Sequence, residues 1–73
     1  SNYDELLKLA TIRERSERER RVKALMGRIG KSREYVKDHR LRLIQDAMTL
    51  RQDWAEAEAT QWVDGVLGIE PIN

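Results

Sequence analysis

The sequence predicts an all-α fold, an antiparallel helical hairpin of two long helices that turns near residues 27–31. Three observations carry that expectation. Leu, Arg, Glu, Ala, Lys and Gln dominate the chain, and no window alternates β-branched and polar residues as a strand would. Glycine and proline, the residues that interrupt helices, stand only at Gly27, Gly30, Gly65, Gly68 and Pro71. Apolar residues recur at helical spacing on both sides of the first glycine pair.

The first helix is expected over residues 4–28, with Asn2 or Asp4 as its cap and Asp4 and Glu5 favouring the positive end of its dipole. Its apolar side chains fall into two islands: Leu6, Leu7, Leu9, Ala10 and Ile12, then Val22, Ala24, Leu25, Met26 and Ile29. Between them residues 13–21, Arg-Glu-Arg-Ser-Glu-Arg-Glu-Arg-Arg, contain no apolar side chain. A helix lying on a core needs one every three or four positions, so this stretch is solvated or faces something charged. Glu14 to Arg18, Glu17 to Arg21 and Glu19 to Lys23 stand in the favourable i to i+4 order, which lets the segment stay helical without burial.

Gly27-Arg-Ile-Gly30-Lys31-Ser32 interrupts the pattern, and Ser32 before Arg33-Glu34 reads as a helix cap. The alternative to a hairpin is one helix of about 60 residues softened at the two glycines, each worth about 1 kcal/mol relative to alanine. The second helix is expected over residues 32–66. Val36, Leu43, Leu50 and Ala57 repeat every seven residues, His39, Ala47 and Trp54 accompany them, and Ile44, Met48, Ala55 and Trp62 widen the stripe. Gly65 and Gly68 end it, leaving a tail over 67–73, so that residues 1–73 form a single domain.

Charged residues make up 37% of the chain and aromatics 5%, which predicts a marginal core completed by self-association into a bundle or coiled coil. Residues 1–40 hold twelve basic against seven acidic side chains, and residues 41–73 hold two against six. The halves are electrostatic complements, an arrangement that favours folding back or antiparallel pairing. No apolar run reaches the roughly 20 residues that span a bilayer, and the cytoplasm is the default compartment. The absence of cysteine excludes disulfides and thiolate metal sites.

Few residues suggest chemistry. Gly30-Lys31-Ser32 looks like the end of a phosphate-binding loop, but Met26 stands where the first glycine belongs and the preceding residues are helical, so an interhelical turn is the reading. His39 is the sole histidine, with no second ligand near it in sequence, and is expected in a core or at its rim. No nucleophile and base pair is evident, so no catalysis and no cofactor are expected.

Trp54 and Trp62 lie eight residues apart on one side of a helix, where they can pack in a core or concentrate binding energy at an interface. The expected partner or oligomer interface is Val36, Leu43, Leu50, Trp54 and Trp62. Arg13, Arg18, Arg20, Arg21 and Lys31 are the candidate contacts to an anionic partner. Interleaved Glu14, Glu17 and Glu19 lower the local potential and weigh against a phosphate backbone.

Glu58-Ala-Thr-Gln-Trp62-Val-Asp64-Gly-Val66-Leu-Gly68 resembles the opening helix of calponin-homology domains, which implies a helical cytoskeletal context and carries over no actin-binding residue. Leu6-Leu-Lys-Leu9-Ala-Thr-Ile12-Arg-Glu-Arg15 is similar to the start of FliJ/YscO-type coiled-coil stalk proteins of bacterial export machines, which implies a long antiparallel hairpin. The functional expectation is a non-catalytic helical scaffold or adaptor that binds itself, as a homodimer or higher, or another helical protein. The alternatives are a small RNA- or DNA-binding hairpin and a fragment of a cytoskeletal or secretion-machinery coiled-coil protein.

Overall fold

A computed structural model of the chain describes residues 1–68, which form five short α-helices and no strand. They are α1 (Asn2–Leu9), α2 (Arg15–Arg28), α3 (Ser32–Asp38), α4 (Arg40–Leu50) and α5 (Glu56–Leu67). The all-α expectation holds, whereas the two long helices and the coiled coil do not. A helix over residues 32–66 would be about 50 Å long, yet the molecule measures 30 × 27 × 23 Å. Of the expected tail over 67–73, Leu67 ends α5 and Gly68 caps it, and residues 69–73 lie outside the described residues.

The first predicted helix breaks after α1. Thr11 and Ile12 are adjacent β-branched residues of low helix propensity, and the Thr11 hydroxyl donates back to the Lys8 carbonyl at 2.6 Å. Ser1, rather than Asn2 or Asp4, caps α1, its hydroxyl accepting from the Asp4 amide. Glu14 begins α2 by accepting from the Ser16 and Glu17 amides, so it acts as a cap instead of pairing with Arg18. Those amide bonds, Glu17's first, lower the Glu14 pKa. The stretch resembling a stalk protein therefore spans the end of α1, a bend and the first residue of α2.

The turn near residues 27–31 is present, but Gly27 lies within α2 and Lys31, at φ 52°, takes the left-handed conformation before α3. Ser32 is the first helical residue rather than the cap. His39 separates α3 from α4: its amide reaches the Tyr35 and Val36 carbonyls and its Nδ1 lies 2.7 Å from the Tyr35 carbonyl. Its ring stacks on Tyr35 with centroids 4.3 Å apart, a half-buried structural histidine.

Arg51 ends α4. Its guanidinium forks onto Asp53 at 2.8 and 2.7 Å and donates to the Ala10 carbonyl at 2.7 Å, closing the C-terminal end of α1. Residues 52–55 then turn the chain, and Glu58 accepts from the Ala55 amide at the start of α5. Gly68 caps α5 at φ 74°, as its position after the helix leads one to expect, whereas Gly65 is an ordinary helical residue.

The core gathers Leu6 and Ala10 from α1 and its end, Val22 and Leu25 from α2, Val36 from α3, Leu43, Ile44 and Ala47 from α4, and Ala59 and Val63 from α5. Helices α3 and α4 both pack on α5, and α1 bridges α2 and α4. Across the last contact the Tyr3 hydroxyl donates to Asp46, under Arg42 at 4.1 Å from the ring. Burial, then Asp46, pushes the Tyr3 pKa far up.

Candidate docking groove

The charged segment of α2 contains two kinds of arginine. Arg20 and Arg21 both pair with Glu17, and Arg15 pairs with Glu19 at 3.0 Å. Hydrogen bonds from Arg21 and then Arg20 hold Glu17 below the usual carboxylate range. Arg18 differs. Its Nη1 donates to the Ile12 and Arg13 carbonyls at 2.8 and 3.2 Å, and no carboxylate within the described residues forms an ion pair with it. Burial, then the neighbouring Arg51 charge, lowers its pKa.

Arg18 stands beside Trp54, its guanidinium carbon 5.3 Å from the ring centroid, and Arg51 lies over the same ring at 4.3 Å. Trp54 is held in the loop before α5 by its amide bond to the Arg51 carbonyl. Trp62, two turns into α5, meets Trp54 at 5.9 Å between ring centroids. The eight-residue spacing of the tryptophans does bring the rings together, although Trp54 lies outside any helix.

Between α2 and α5 this arrangement leaves a groove of about 570 Å³. Val22 and Met26 form its apolar wall on α2, facing Trp54, Trp62 and Val66. Its polar edge is Arg15, Arg18, Glu19 and Lys23 on one side and Glu58, Gln61 and Gly65 on the other. Glu19 is taken by Arg15 and Glu58 by the Ala55 amide. Arg18 Nε and Trp62 Nε1 are both buried donors without an acceptor. An unmet buried donor costs about 1–3 kcal/mol, and both of these belong to residues that line the groove.

The predicted interface residues divide. Val36 and Leu43 are 0% and 1% exposed and belong to the chain's own core, and Leu50 lies 47% exposed at the end of α4, outside the groove. Trp54 and Trp62 line it. Of the five predicted anionic contacts only Arg18 does: Arg20 and Arg21 are engaged by Glu17, Arg13 is exposed in the bend before α2, and Lys31 is exposed before α3. Sequence reasoning passed over Val22, Met26 and Val66 as groove residues. The i, i+4 spacing of Val22 with Met26, and of Trp62 with Val66, was the available signal.

No group of three or more His, Asp or Glu residues among the described residues is arranged to hold a metal ion, and no described helix is long and apolar enough to cross a membrane. Comparison of the chain with known protein families, curated proteins and solved structures finds no match.

Proposed function

We propose that this chain is a non-catalytic adaptor that docks an amphipathic helix of another protein in the groove between α2 and α5. The observation that carries the reading is the pairing of two tryptophans and an unneutralised arginine around an open groove. Trp and Arg are the side chains in which binding energy concentrates, because each fixes a large contact area with few rotors or a rigid fork of donors. A helical occupant suits the groove. Val22 and Met26 on one wall, and Trp62 and Val66 on the other, are i, i+4 pairs, so a third helix can set its ridges between them.

A heterologous partner is favoured over a second copy. Self-association would be needed by a core too small for one chain, and the described residues already bury twelve apolar side chains within it. Nucleic acid is disfavoured for a different reason. Arg15, Arg20 and Arg21 are paired with glutamates along α2, which removes the continuous row of positive charge that a phosphate backbone needs.

Selection of helical peptides from a displayed random library against the folded chain tests the reading. Gly65→Gln supplies the control: Gly65 is exposed on the groove's edge, and a Cβ there meets nothing within 4 Å, so the variant keeps the fold and obstructs the groove. Enriched peptides should carry apolar residues at i, i+4 and lose at least tenfold in affinity for Gly65→Gln. Peptides that bind both chains equally, or no enrichment at all, would overturn it. Sedimentation of the free chain as a dimer closed by Gly65→Gln would assign the groove to a second copy instead.

A further inference from the structure

Cations outnumber carboxylates around the groove, Arg15, Arg18 and Lys23 against Glu19 and Glu58. Glu19 pairs with Arg15, Glu58 keeps its charge while accepting from the Ala55 amide, and neither Arg18 nor Lys23 makes an ion pair within the described residues. Both orphaned buried atoms, Arg18 Nε and Trp62 Nε1, are N–H donors. Resting on the docking role proposed above, we infer that the occupant is an acidic helix: its apolar stripe lies along Val22, Met26 and the tryptophans, and an aspartate or glutamate beside the stripe accepts from Arg18 and Trp62.

The chemistry favours a carboxylate over a neutral acceptor. Arg18 is a guanidinium half withdrawn from water, with a second guanidinium, Arg51, sharing the Trp54 ring. Withdrawing a cation from water is unfavourable unless an anion meets it, and an arginine fork receives a carboxylate through two parallel bonds. Trp62 Nε1–H adds a donor that no backbone group satisfies in the free chain. Neither nitrogen reaches solvent while the groove is empty, so the Arg18 and Trp62 side chains must turn toward the occupant to donate to it, a side-chain adjustment common at interfaces. Along α2 the groove extends from Arg15 to Met26, about 17 Å or three helical turns. A helix of about twelve to fifteen residues fills that length.

Fifteen-residue synthetic helices with a leucine stripe and one glutamate, moved along the positions flanking the stripe, are the probe, together with the same set carrying glutamine. Titration calorimetry against the whole chain should find at least one register in which Glu binds roughly tenfold tighter than Gln, the loss of one charge-assisted hydrogen bond. Trp62→Phe keeps an apolar ring and removes the donor, and Arg18→Gln removes the charge. The Glu to Gln ratio should shrink to about two or less in Arg18→Gln and to an intermediate value in Trp62→Phe. In the unmodified chain the indole N–H resonance of Trp62 at saturation should move further downfield with the Glu peptide than with its Gln twin, because the ionised acceptor makes the stronger bond. If Arg18→Gln fails to fold, the Trp62→Phe ratio and the indole shift decide alone. Equal binding of Glu and Gln peptides, abolished by Gly65→Gln, would overturn the acidic partner and leave the docking groove standing. Absence of groove-directed binding in every register would overturn both.

Discussion

Two guanidinium groups hold the bends that glycine and proline do not mark. Arg51 closes the end of α1 through the Ala10 carbonyl, and Arg18 takes the Ile12 and Arg13 carbonyls one turn later. Helix ends expose carbonyls that need donors, and here the donors arrive from side chains. Arg51→Met keeps much of the side chain's bulk and leaves the buried Ala10 carbonyl unmet, so urea unfolding should show a loss of about 1–3 kcal/mol. A loss below about 0.5 kcal/mol would mean that water replaces the guanidinium. Asp53 gives the same contact a pH signature. Hydrogen bonds from Arg51 hold the Asp53 carboxyl down at about 2, below its ordinary value of 3.8. A carboxyl more acidic in the folded than in the unfolded chain adds stability above its ordinary pKa and loses it as pH falls through the folded value. Unfolding midpoints measured across pH 5 to 2 should therefore drop between about pH 4 and 2, and Arg51→Met should flatten that dependence. Neither role could be read from the sequence, because Ala10 and Arg51 lie forty-one positions apart and nothing local pairs them.

At the scale of elements, the helical character of the chain was legible and its division was not. The Gly27 to Ser32 turn and the cap at Gly68 followed from residue types whose backbone freedom the turns use. The bends at residues 10–14, 39 and 51–55 have no such residue. They are set by Glu14 as a cap, by His39 against Tyr35, and by Arg51 with Asp53. The seven-residue repeat misled for a related reason: Val36 and Leu43 fall on separate helices that both face α5, and Leu50, the last residue of α4, lies exposed where the helix ends. Lys31 offers a test of the turn itself. It holds the left-handed conformation that costs a residue with a Cβ about 1 kcal/mol. Lys31→Gly should raise stability by about 0.5–1 kcal/mol in urea titration, and a loss would show that the lysine side chain contributes more than its backbone costs.

For the whole molecule, five short helices wrap one small core and leave α2 and α5 apart along their length, so that the core and the groove share the residues of the same two helices. The tryptophans were legible in the sequence as a pair on one side, and Arg18 as one cation among many. What singles Arg18 out is the three-dimensional accounting of which glutamates are already engaged. The wrapped core also separates two leucines that a continuous coiled coil would treat alike. Leu43→Ala should cost about 2–5 kcal/mol and Leu50→Ala less than about 1 kcal/mol, as read by chemical unfolding. Similar costs at both positions would favour a long helix. The most direct test of the docking account is calorimetric titration of the best Glu-bearing helix and its Gln twin into the unmodified chain and into Gly65→Gln. The account predicts saturable binding to the unmodified chain, about tenfold weaker for Gln, and loss of both in Gly65→Gln. Binding that ignores Gly65→Gln would contradict it.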